Sequence, residues 1–299
     1  MPNGRGMSPQ SQITRRDRAD GAPRARMLAG VPVRERRLRL AGVSTVVLEG
    51  GEGPPLVLLH GGIECGGAYW APVLSHLAER HHVVVPDLPG LGESEPIARL
   101  DVAAFTAWFA ALIRETCQDP PGLLAHSLDG TLAAHFAARR GDLLRRLVIY
   151  ATPGIGHYRM PLRLRLTAMR FGLRPTERNS ERFERLAFLD LDAARRRDPE
   201  WLAAFGAYTR SRAAVPHVKR TMRQLIDVGT RQLPDAELRR IEVPTTLLSG
   251  RQDRFVPLAL AEAASHRLGW SLRVIEEAGH VPHIEQPEAF LAALVERTR

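Results

Sequence analysis

Short, continuous apolar runs alternate along this chain with stretches of helical spacing. "PPLVLLHGG", "HHVVVPDLPG", "GLLAHS" and "LRRLVIYATPG" are each stopped by glycine, proline or a small polar residue. Runs of this kind read as strands covered on both faces, because one-sided strands alternate apolar with polar residues. Between them lie "AYWAPVLSHLAER", "DVAAFTAWFAALIRETC" and "LDGTLAAHFAARRG", whose apolar residues recur at helical spacing. Asp101 is a helix cap by position. Strand-helix alternation requires a mostly parallel sheet with helices on both faces. Ahead of it, "RLRLAG" and "STVVLEG" flank Gly42 and suggest a hairpin.

The alternation stops at residues 156–231, which hold helical stretches such as "RLRLTAMRFGL" but no convincing strand. It resumes with "PTTLLSG", "PLALAEAASHRLG", "SLRVIEEAG" and "PEAFLAALVER". The expected organisation is therefore a basic, disordered tail over 1–30, an α/β core over 31–155 and 232–299, and a helical lid over 156–231. A lid between two strands belongs over the carboxyl edge of the sheet, where open α/β sheets bind ligands.

Charge narrows the function classes. Residues 1–40 carry ten arginines against three acids, and residues 156–231 carry seventeen Arg and Lys against eight acids. Those segments sum to +16 while the whole chain is +9, so the remainder is −7. A nucleic-acid protein would carry a basic stripe on its folded body with stacking aromatics interleaved, so nucleic acid is not an expected partner. The insert's arginines read as solvated helix faces, with an anionic or carrier-linked small-molecule substrate as the alternative. No apolar run approaches the roughly 20 residues that span a bilayer, so no membrane is expected. The first 28 residues lack the apolar core of a signal peptide, and with only two cysteines, Cys65 and Cys117, a cytoplasmic protein is expected.

Three chemically capable residues stand just past the carboxyl ends of expected strands: Ser127 after "GLLAH", Asp253 after "TTLLSG" and His280 after "SLRVIEEAG". A hydroxyl, an imidazole to take its proton and a carboxylate to hold the imidazole tautomer are what nucleophilic acyl transfer needs. His, Cys and acidic residues show no metal-ligand spacing. The glycines of "PDLPGLGES" lack the GxxxxGK pattern of a phosphate loop, and no cofactor is expected.

"HGG" at 60–62, "PDLPGLGES" at 86–94, "AHSLDG" at 125–130, "GRQDRFVP" at 250–257 and "GHVPHIEQPEAF" at 279–290 together resemble the α/β-hydrolase superfamily. The order Ser…Asp…His is that superfamily's order. The last two motifs are most similar to its lid-bearing branch, which includes C–C bond hydrolases, epoxide hydrolases and small esterases. "GRQDRFVPL" leans toward the C–C hydrolases, although Val281 stands where those carry tryptophan. The resemblance implies a catalytic Ser127, Asp253 and His280, and an oxyanion hole of backbone amides from Leu128 and from Gly62, with Ile63 the alternative. It implies a hydrolase for an ester, thioester, lactone or activated C–C bond. Two alternatives stand beside it: an epoxide hydrolase, which would need Asp at the serine's own position, and a lyase-like or binding member.

His60 and His283 match structural positions of the family, Asp87 reads as structural, and Cys65 as a buried inert thiol. His126 should point away from Ser127, as strand neighbours do. Asp129 occupies a position where a tight strand-to-helix turn favours a small residue, and its side chain is expected to turn outward toward neighbouring loops.

Overall fold

The computed structural model describes residues 22–295. The expected hairpin is β1 (Arg34–Leu40) and β2 (Val43–Gly50), antiparallel and closed by Leu40 opposite Val43. The doubly covered runs become β3 (Pro55–Leu59), β4 (His82–Pro86), β5 (Gly122–His126) and β6 (Arg146–Tyr150). β3 and β5 are buried along their whole length. Burying each such Val or Leu is worth about 1.5–3 kcal/mol, which is why these strands lie at the centre of the sheet. β7 (Thr245–Gly250) and β8 (Ser271–Ile275) complete an eight-stranded sheet of order β1-β2-β4-β3-β5-β6-β7-β8. β2 runs antiparallel to both neighbours, and every other pairing is parallel.

Helices α1 (Ala71–Ala78), α2 (Val102–Thr116) and α3 (Ser127–Arg140) follow β3, β4 and β5. The Asp101 side chain caps α2 by accepting the Ala104 N–H at 3.0 Å. Between β6 and β7 the chain builds α4 (Leu162–Leu173), α5 (Glu177–Ala187), α6 (Leu191–Arg197), α7 (Pro199–Ala213) and α8 (Pro216–Gly229), then the short α9 (Asp235–Leu238). α10 (Leu258–Leu268), α11 (Pro282–Glu285) and α12 (Pro287–Leu294) finish the chain. One apolar cluster fills the side of the sheet under α2 and α3, and another the side under α1 and α12. A third, with Tyr69, Phe188, Trp201, Phe205 and Phe255, joins the insert to the body. Among the described residues no helix is long and apolar enough to cross a membrane.

The basic tail lies outside the described residues as far as residue 21. From 22 to 30 the expectation of disorder fails: residues 22–27 are helical and Met27 is buried. Arg24 is buried too, 3.1 Å from Glu35 and 3.2 Å from Asp87. The cause is a buried carboxylate in the body that recruits a cation from the tail.

Candidate active site

β3 leads leftward to β4, and the chain then crosses over β3 to place β5 on its other side. The loops after β3 and β5 therefore diverge from neighbouring strands, with Leu59 paired to Ala125, and leave a crevice at the carboxyl edge. Ser127 sits in that crevice with φ of +51°, a left-handed conformation that is strained for a residue with a side chain. The strain projects its hydroxyl out of the turn.

Ser127, Asp253 and His280 meet there. The Ser127 Oγ lies 3.1 Å from His280 Nε2, and His280 Nδ1 lies 2.9 Å from Asp253 Oδ2. A carboxylate accepts only, so Nδ1 carries the proton and Nε2 presents its lone pair to the hydroxyl. The other Asp253 oxygen accepts the N–H groups of Phe255 and Val256 at 2.7 and 3.0 Å. The His280 loop is held from three sides. Its N–H donates to the Ala187 carbonyl at the end of α5 (2.8 Å), Glu285 accepts the Gly279 N–H (2.8 Å), and His126 Nε2 donates to the His280 carbonyl (3.1 Å).

His126 thus stays at the site rather than turning away, because the chain leaves strand geometry at Ser127. Its ring stacks on Tyr150 at 4.3 Å, and burial drives its pKa far down, so it is a neutral donor. Neither the His126 contact nor Glu285 is visible in sequence, since both depend on loops meeting across the sheet edge.

The peptide joining Gly61 to Gly62 is clamped. His60 Nε2 accepts the Leu88 N–H at 3.1 Å, so its Nδ1 carries the proton and donates to the Gly61 carbonyl at 2.9 Å. Burial holds this imidazole neutral, with its pKa lowered to about 3. Because a peptide is planar, fixing that carbonyl also fixes the plane of the Gly62 N–H. Gly61 has φ of +79°, and a Cβ on it would lie 3.3 Å from Ser127 Cβ and 2.9 Å from the His126 carbonyl, so no side chain fits. Leu128 is the second residue of α3, in the first turn, where amides are unpaired and the dipole favours negative charge. Among the described residues, neither the Gly62 N–H nor the Leu128 N–H has a protein acceptor.

Asp129 is fully buried, and its Oδ2 accepts the Gly61 N–H at 2.8 Å while Oδ1 has no partner. The expectation of an outward-turned side chain fails: it packs inward against the Gly61 loop, whose N–H needs an acceptor, and the body covers it completely. Burial pushes its pKa up to about 8 against the opposing pull of the Gly61 N–H, so it is a neutral acid at pH 7. The close approach that demands glycine falls one residue later. A Cβ on Gly130 would lie 2.0 Å from Thr152 Oγ1.

A cavity of about 460 Å³ opens above Ser127 and His280. Its walls are mainly apolar and come chiefly from α4, α5, α7 and α8 of the insert and from the loop after β3. Glu64 is a buried carboxyl on that wall, raised to about 7 by desolvation, and nothing in the sequence marked it. Asp87 is structural in its contacts. It accepts the N–H groups of Gly67 (2.6 Å) and Glu93 (2.8 Å) and pairs with Arg24. Cys65 is buried, and desolvation pushes its thiol pKa well up. His283 bonds the Tyr150 hydroxyl at 3.0 Å, behind the site.

The chain is similar in sequence and fold to known proteins. The chain is 29% identical over 255 residues to a pimeloyl-[acyl-carrier protein] methyl ester esterase of Aeromonas hydrophila, covering 81% of this chain and 94% of that protein. It is 26% identical over 268 residues to a 2-hydroxy-6-oxo-2,4-heptadienoate hydrolase of Pseudomonas putida, covering 86% and 93%. A crystal structure of a bacterial membrane phospholipase A superposes with a TM-score of 0.76 at 25% identity, covering 92% of this chain and 89% of that one. These relatives are hydrolases by name. Residues 56–293 match the alpha/beta hydrolase family, and on that match over most of its length the chain belongs to it.

Proposed function

We propose that this protein is a serine hydrolase that cleaves the ester of an apolar acyl group. The observation that carries the reading is the Ser127–His280–Asp253 chain of contacts, 3.1 and 2.9 Å, beside two unpaired amides. As the Ser127 oxygen bonds to the ester carbonyl carbon, its proton passes to His280 Nε2. The carbonyl electron pair moves onto oxygen, where the amides of Gly62 and Leu128 and the start of α3 stabilise it. Collapse breaks the acyl C–O bond, and the departing alcohol takes the proton from His280. Water, deprotonated by the same nitrogen, then releases the acid from Ser127.

The same attack serves a thioester, a lactone or an activated C–C bond next to a carbonyl. An acyl chain fits the apolar cavity, free or attached to a carrier as in the substrate named for the Aeromonas relative. Epoxide opening by a carboxylate is disfavoured. Asp129 is the acid nearest the turn, and it is buried against Gly61 rather than on the cavity wall.

A fluorophosphonate probe tests the reading. It should label the folded protein at Ser127, and Ser127→Ala should abolish both labelling and hydrolysis of p-nitrophenyl esters. A folded protein that takes no label and cleaves no ester would reject the assignment.

A further inference from the structure

The insert carries a face that its own packing does not use. α4 turns Leu164 and Phe171 inward, yet Leu162, Met169 and Leu173 stand 60%, 53% and 64% exposed. Steps of seven and four residues place these three within about 20° of one line along the helix, roughly opposite the buried pair. Single exposed apolar residues need no explanation. A solvent-facing row on a helix already buried on its other side does.

Arginines border the row. At helical spacing Arg165 falls on one flank, and Arg163 and Arg170 on the other. From residue 158 to 176 the chain holds five arginines and no acid, and none of the five forms an ion pair among the described residues. Some exposed arginines elsewhere have an acid beside them and pair with it, Arg185 with Glu181 and Asp192, Arg231 with Asp227 and Arg251 with Glu276, whereas the 158–176 stretch offers its arginines no acid. The row is also continuous with the cavity. Met169 and Leu173 line the cavity that reaches Ser127, together with Arg165 and, from α8, Lys219 and Arg223.

We propose that α4 is an interfacial docking helix that seats the protein on an anionic lipid surface, its apolar row entering the acyl boundary and its unpaired arginines meeting the phosphates. A basic helix with an apolar stripe binds such a surface through both terms. This lies on the surface and does not span it. An amphiphilic ester would then pass from the aggregate into the cavity along continuous apolar wall. This last step rests on the hydrolase reading; the docking itself does not.

Two other occupants fit less well. A folded acidic carrier protein would satisfy the arginines but set the three apolar side chains against a polar surface. A second copy packed through the same helix would bring two sets of unpaired arginines together with no acid between them.

The test uses the full-length protein and extruded vesicles of phosphatidylcholine, with and without phosphatidylglycerol, followed by sedimentation. The protein should pellet with the anionic vesicles at least tenfold more than with pure phosphatidylcholine, and release as salt rises. The variant Leu162→Asp, Arg163→Glu, Arg170→Glu alters surface positions off the cavity wall. It should lose at least tenfold in vesicle affinity while its kcat/KM on a water-soluble ester is unchanged. Ser127→Ala should bind vesicles as the wild type does, so that a failed hydrolase reading and a failed docking reading give different results. Absence of pelleting, equal pelleting of both vesicle types, or undiminished binding by the triple variant overturns the proposal. So does α4-dependent capture by an acidic carrier protein or α4-dependent dimerisation in place of lipid binding.

Discussion

Asp129 occupies a position where a tight turn favours a small residue, and its consequences follow from one hydrogen bond and one missing partner. As a neutral acid it holds the Gly61 N–H at 2.8 Å without setting a charge against an oxyanion. Above about pH 8 it ionises, and kcat should fall as that charge develops beside the clamped loop. Asp129→Asn keeps an acceptor and cannot ionise, so its pH–rate profile should lack the alkaline fall. Asp129→Gly loses the acceptor and should lower kcat about tenfold with KM little changed. An unfolded aspartate titrates near pH 4, so between about pH 4 and 8 the folded chain keeps a proton that the unfolded chain releases. Stability from this residue is therefore full below pH 4 and falls as pH rises to 8, by roughly 1.4 kcal/mol per unit. Denaturant midpoints should show Asp129→Asn gaining on the wild type between pH 5 and pH 8. The first-turn position of Asp129 was legible in the sequence. Its burial was not, because Gly61 lies 68 residues away.

At the scale of elements, the turn from β5 into α3 depends on how closely α3 approaches the end of β6. Gly130 makes that approach possible, and Gly130→Ala would force its Cβ to within 2.0 Å of Thr152 unless one of them moves. Overpacking of this kind costs typically 1–3 kcal/mol. A fall of that size in unfolding free energy, with weaker fluorophosphonate labelling of Ser127, is the expected result. Strand positions were legible because continuous apolar runs bounded by Gly and Pro have few other solutions. Helix starts were less so. "AYWAPVLSHLAER" reads as helical from Ala68, whereas the chain makes a 3₁₀ turn at Gly66–Trp70 before α1 begins at Ala71. Pro72, lacking an N–H, is accommodated in the first turn of α1 and would break a helix that ran through it.

For the whole molecule, the contact between the N-terminal segment and the body matters most. Arg24 reaches the buried Asp87, which also holds the loops at Gly67 and Glu93. Arg24→Ala would leave that carboxylate buried without its cation, a loss of about 3–5 kcal/mol that urea denaturation would register. The sequence by itself determined the strand and helix alternation, the strandless insert and the order of Ser127, Asp253 and His280 at strand ends. Each of these follows from local periodicity and from the rule that strand ends gather on one edge. Only the tertiary structure decided that Asp129 takes Gly61, that His126 and Glu285 hold the His280 loop, that Glu64 faces the cavity, and that Arg24 leaves the tail for the core. These are choices of partner for buried polar groups. They are made by which distant segments meet where water is excluded, a property of the assembled molecule rather than of any window along the chain.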